Sequence, residues 1–120
     1  MPSFVAEESL NSVKVFWLDQ DKLLTEIHKV AVRIGQADEN IKKIILFGSL
    51  AEKRAVPGGD ADILIILEKD SKAFMDRISE WSERFVVDFP VEVFPYTQKE
   101  LSNTIALKAM KKGIVLFERE

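Results

Sequence analysis

The residues best equipped for chemistry lie between positions 48 and 62. Gly48-Ser49 is followed, after ten intervening residues, by the carboxylate pair Asp60 and Asp62. A glycine lets the backbone come close to a phosphate, and a turn that opens a helix presents unpaired N–H groups to it. Two carboxylates one residue apart on an extended segment point to the same side. There they can share a divalent cation with a phosphate ester, which is the equipment of metal-dependent nucleotidyl transfer. A third carboxylate, Glu92, stands between Val91 and Val93. Alternation turns it away from those apolar neighbours, as a carboxylate must turn if they fill the core. Asp60, Asp62 and Glu92 are therefore the expected catalytic and metal-holding residues, with Mg²⁺ as the ion. Asp60 and Asp62 would hold metal during in-line displacement at an α-phosphate, while Glu92 holds the metal that activates the acceptor hydroxyl or takes its proton. Each piece alone has a plainer reading: Gly-Ser is commonly just a turn, and Asp-x-Asp at a strand start a solvated edge. Their convergence carries the specificity.

The elements that must position these groups can be read from periodicity. The run 43–47 reads as a buried strand, so Gly48-Ser49 falls where a strand hands over to a short helix. After the loop 56–59, residues 60–67 read as a second strand with Asp60 and Asp62 on one face. Upstream, 13–17 alternates weakly as an edge strand, while 7–11 is left unassigned. Asp19 is a fitting N-cap for a helix whose Leu23, Ile27, Val30, Ala31 and Ile34 recur at helical spacing, with Gly35 near its end. Ser71 is expected to cap a second helix, with Phe74, Ile78, Trp81 and Phe85 inward and Lys72, Asp76, Arg77 and Glu83 outward. Residues 90–95 form a short strand. Thr97 and Glu100 have the spacing of a capping box, which predicts a third helix from there to Gly113, and 114–117 a last strand. The expected fold class is α/β or α+β: one small domain, 1–120, with helices packed on a mixed sheet.

Composition bounds the functions available. The 120 residues suffice for one core, and 47% hydrophobic with 31% charged content is that of a globular chain. A net charge of −3 argues against nucleic acid as the main partner, since phosphate contacts need a basic face. With no cysteine and one histidine, thiolate chemistry, disulfides and His-based zinc are excluded, so any metal is held by oxygen. The longest apolar run is 63–67 and no basic-then-apolar leader opens the chain, so no membrane span and a cytoplasmic location are expected. His28 receives no role. Trp17 and Trp81 read as core or edge aromatics, and Lys99, Lys108, Lys111 and Lys112 as a solvated helix face.

These motifs resemble those of minimal nucleotidyltransferases of the DNA polymerase β superfamily. Leu46-Phe47-Gly48-Ser49 followed by Asp60-Ala61-Asp62 is similar to the family's Gly-Ser and paired-Asp motif, and Val91 to Thr97 is similar to its third-carboxylate strand. The segment from Leu18-Asp19 through the following helix resembles the family's opening. The resemblance implies a nucleotidyltransferase-like fold, a nucleoside triphosphate, ATP above all, as substrate with Mg²⁺, and Gly48 and Ser49 as triphosphate-binding residues. It also implies pairing with a HEPN-domain toxin, towards which some members act as antitoxins by transferring AMP to a tyrosine. Three positions depart from the pattern: Glu52-Lys53 replaces the usual Arg-Gly, Gly59 replaces a serine, and Glu92 replaces an Asp. Lys53 and Arg54 then become the basic residues expected to meet phosphate. Glu52, Lys53 and Glu92 also motivate the alternative of a non-catalytic antitoxin that neutralises its partner by masking. Transfer to a small molecule is a third reading, for which so short a chain has little room. Acceptor recognition is expected to come from a partner chain or a second copy.

Overall fold

The computed structural model of the chain describes residues 5–10, 13–52 and 59–120, with side chains from residue 19 onward. Lys53 and Arg54 lie outside the described residues. Four strands form a mixed sheet in the order β5-β4-β3-β6: β3 (Ile41–Phe47), β4 (Ala61–Leu67), β5 (Val91–Thr97) and β6 (Ile114–Glu118). The β4–β5 pair is parallel because α2 (Phe74–Arg84) carries the chain across between them; the other pairs are antiparallel. The strand expected at 13–17 is β2 (Val13–Leu18). It pairs with β1 (Val5–Leu10) in a separate antiparallel ribbon, so residues 7–10 of the unassigned segment are strand, and residue 11 lies outside the described residues.

Both faces of the sheet are covered, which is why β4 reads as a continuous apolar run after Asp62. On one face, Leu23, Ile27 and Ile34 of α1 (Gln20–Ala37) and Trp81 of α2 pack with Phe85 against Ile44, Leu46, Ile63 and Ile65. On the other, Ala106 and Ala109 of α3 (Thr104–Lys112) pack against Ile45, Phe47, Leu64 and Ile66. Asp19 caps α1 as expected, its carboxylate accepting from the Lys22 N–H at 3.2 Å.

Four local expectations are not met. The second helix starts at Phe74 after Ala73, not at Ser71; the Asp70 carboxylate accepts the Lys72 N–H at 2.8 Å and shapes the approach instead. Arg77, expected outward, is only 4% exposed. Its guanidinium donates to both carboxylate oxygens of Glu100, at 2.7 and 3.0 Å, and to the Pro95 carbonyl at 2.8 Å. This bidentate pair is the geometry in which an arginine can be taken out of water. The capping box of Thr97 and Glu100 opens a single 3₁₀ turn, Gln98–Glu100, rather than the long helix. Glu100 accepts from the Thr97 N–H at 2.8 Å while also holding Arg77, and the chain turns before Asn103 caps α3 by accepting from the Ala106 N–H at 2.8 Å. The short helix expected after Gly48 is, in the described residues 49–52, a turn closed by the Glu52 N–H on the Gly48 carbonyl at 3.1 Å.

Candidate active site

Strand register brings the separated motifs to one end of the sheet. Phe47, the last residue of β3, is paired with Asp62 on β4, and Asp62 is paired in turn with Glu92 on β5. Alternation places Asp62 with Leu64 and Ile66 on the α3 face, and Glu92 with Phe94 and Tyr96 on that same face. The Phe47 and Phe94 rings meet there, 5.4 Å apart and tilted by 56°. They make an apolar floor beside the carboxylates.

Gly48 turns the chain away from β3 with φ at +79°, in the region open to glycine. A Cβ on Gly48 would collide with an Asp62 carboxylate oxygen and stand 3.2 Å from its Cγ. Bare backbone is therefore required against this side chain. Leu50, fully buried, anchors the turn in the core, leaving Ser49 part exposed.

Asp62 is part buried, while Asp60 and Glu92 are exposed. Burial, followed by the negative charges of Glu92 and Asp60, pushes the Asp62 carboxyl above its ordinary range, and the positive charge of Lys108 opposes the shift. The three carboxylates share one electrostatic environment, in which a cation would be stabilised. Among the described residues, no three carboxylates or histidines form a ready-made metal cage. An all-oxygen set of few carboxylates fits Mg²⁺, which takes part of its shell from substrate phosphate and water. Lys108 is the residue the sequence reading left among solvated lysines. Helical spacing alone could not show that α3 crosses the carboxylate face; its packing through Ala106 and Ala109 does.

A family model described as Polymerase beta, Nucleotidyltransferase matches residues 29–120. The chain belongs to the polymerase β nucleotidyltransferase family. Proteins of this family generally use a nucleoside triphosphate and a divalent metal. The fold of this nucleotidyltransferase domain is similar to the crystal structure of a candidate nucleotidyltransferase from Sulfolobus solfataricus, with a TM-score of 0.64 and 18% identity over 83% of this chain and 84% of that one. A toxin–antitoxin structure with AMP-PNP is 16% identical, with a TM-score of 0.49 over 86% of this chain and 76% of that one. A mutant of the toxin–antitoxin MntA-HpeT is 14% identical, with a TM-score of 0.46 over 86% and 75%. No curated protein matches the chain in sequence. The β1–β2 ribbon precedes the segment matched by the family model, and no described helix is long and apolar enough to cross a membrane.

Proposed function

We propose that this domain is a Mg²⁺-dependent nucleotidyltransferase that moves a nucleoside monophosphate, AMP from ATP, to a hydroxyl of a protein partner, as the antitoxin of a HEPN-domain toxin. The observation that carries the catalytic part is the cross-strand pairing of Asp62 with Glu92 on the face where Gly48 presents bare backbone. The partner and antitoxin role rest on the resemblance of the motifs at 46–62 and 91–97.

In this reading Asp60, Asp62 and Glu92 hold the ion, and Gly48 and Ser49 receive the triphosphate, with Lys53 and Arg54 adding charge. When bound, the metal neutralises the phosphates and the developing charge on the leaving group. The acceptor oxygen forms a bond to the α-phosphorus as the bond to the β-phosphate bridging oxygen breaks. Pyrophosphate leaves, and the hydroxyl proton passes to Glu92. Burial, followed by the charges of Glu92 and Asp60, holds the Asp62 carboxyl above its usual range, and a bound cation would favour its ionised form. The low exposure of Phe47 keeps water from one side of the site.

One observation supports a second reading, a masking antitoxin without transfer. Glu52, whose N–H closes the Gly48 turn, puts a carboxylate at the turn where phosphate would otherwise meet a basic residue. Calorimetric titration of ATP, GTP, CTP and UTP with and without Mg²⁺, beside Asp60→Asn, separates the two. Mg²⁺-dependent binding lost in the variant, with a nucleotide mass gain on the partner, supports transfer. Neutralisation of the toxin in cells by Asp60→Asn and Asp62→Asn would instead establish masking.

A further inference from the structure

The helix that crosses the carboxylate face carries charge of one sign. Lys108, Lys111 and Lys112 of α3 are all exposed, and Thr104–Lys112 contains no acid. Lysines elsewhere are matched: Lys42 with Glu68 at 2.7 Å, Lys43 with Glu118 at 2.9 Å and Lys72 with Glu80 at 2.6 Å. Among the described residues, none of the three lysines on α3 has an ion-pair partner.

The end of the helix fixes where these charges stand. A Cβ on Gly113, the residue after Lys112, would collide with the Ile45 side chain and stand 2.9 Å from the Leu46 carbonyl oxygen. Leu46 is close to the end of β3, from which the Gly48 turn departs. The C-terminal turn of α3 therefore lies at the same end of the sheet as Gly48, Asp62 and Glu92. With Ala106 and Ala109 against the sheet, the helical repeat puts Lys108 and Lys112 together on one flank. Leu107 takes the other flank, and Lys111 the crest turned away from the sheet. The flank of Lys108 is the one beside the carboxylates, since its charge reaches Asp62.

A triphosphate seated at Gly48 adds its negative charges to those of Asp60, Asp62 and Glu92, and Glu52 brings a further carboxylate to the turn. A bound cation offsets part of this, and cationic side chains within reach of the phosphates offset more. Lysine suits that task, as a compact charge on a long, adjustable stem.

We propose that Lys108 and Lys112 form the triphosphate-binding flank of the site, holding the phosphates from α3 while Gly48 and Ser49 receive them at the end of β3. This rests on the nucleotidyltransferase reading above and names the counter-charge of its substrate. Lys111, one helical step from Lys112 but facing away, takes no part.

Calorimetric titration of the full chain with ATP and, separately, with inorganic tripolyphosphate, both with Mg²⁺ at fixed ionic strength, tests this. The variants are Lys108→Met, Lys112→Met, Lys111→Met and Asp60→Asn, with folding checked by circular dichroism. Methionine keeps most of the stem and removes the charge. The dissociation constants of both ligands should rise roughly tenfold in Lys108→Met and in Lys112→Met. In Lys111→Met they should change by less than about twofold, as for a solvated surface charge. Equal losses in all three lysine variants would reduce the effect to the general charge of the helix and overturn the proposal. A loss for ATP with tripolyphosphate unaffected would place the lysines at the nucleoside and overturn it as well. Affinity unchanged in Lys108→Met and Lys112→Met but lost in Asp60→Asn overturns it and leaves the nucleotidyltransferase reading standing. A parent chain that binds neither ligand overturns both.

Discussion

The carboxylate of Asp62 fills the space that a side chain on Gly48 would need. Strand, turn and acid are thus one unit: Gly48 can sit at the end of β3 with φ +79° only because it is glycine, and Asp62 can lean over the turn for the same reason. Gly48→Ala should cost about 1–3 kcal/mol through the left-handed backbone and the displaced carboxylate. It should also abolish triphosphate binding. Urea unfolding followed by circular dichroism, with a nucleotide titration alongside, checks both; a variant as stable and as competent as the parent would remove the unit from the account.

Burial, with the charges of Glu92 and Asp60, raises the Asp62 carboxyl above its ordinary range, so the folded carboxyl holds a proton more tightly than the unfolded one. A raised pKa contributes most favourably at acid pH, and that contribution is lost as pH rises through the folded value. Asp62→Asn removes the repulsion. Its melting temperature at pH 7 should exceed that of the parent by about 2–4 °C, a gap that closes on acidification. Mg²⁺ should stabilise the parent and not the variant. Scanning calorimetry from pH 4 to 8 reads this; a variant less stable at pH 7 would make Asp62 a structural carboxylate.

Arg77 and Glu100 join α2 to the turn after β5 through a pair closed from water on the arginine side. Arg77→Met leaves the Pro95 carbonyl without its donor and the part-exposed Glu100 with only its Thr97 donors, and a loss of about 1–3 kcal/mol is expected. The pair also sets an acid limit. Arg77 holds the Glu100 carboxyl down from its ordinary 4.5 to about 2. Its contribution is complete above 4.5 and is lost as pH falls towards 2. Acid titration of stability should therefore fall more steeply across that window in the parent than in Glu100→Gln; parallel curves would show the pair to be idle.

Asn103 starts α3 by accepting the Ala106 N–H. Asn103→Ala should cost about 1 kcal/mol, measured by thermal melt, and Asn103→Asp should recover most of it. Equal stability of all three would mean that packing through Ala106 and Ala109 alone holds the helix.

Where local rules and tertiary contacts agree, the chain was readable in advance. Alternation foretold β4 and the outward turn of Glu92, the spacing of Leu23, Ile27, Val30 and Ile34 foretold α1, and Asp19 foretold its start. Where a side chain had two available partners, reading failed. Glu100 satisfies a capping box and an arginine at once, so the long helix stops as one turn, and Arg77, polar by type, is buried because that carboxylate meets it. Ser71 lost its capping role because Asp70 shaped the turn and α2 began later.

Composition and spacing alone pointed to a mixed sheet with helices and to three carboxylates as the place to look for an oxygen-held metal, because residue type and periodicity are local properties of the chain. Only the folded chain decided that Asp62 and Glu92 are cross-strand neighbours, that Gly48 must be bare beside Asp62, and that Lys108 reaches this field from a helix more than forty residues downstream. Register, crossover and helix placement follow from burying two apolar sheet faces at once, a condition no short stretch of sequence can satisfy or reveal.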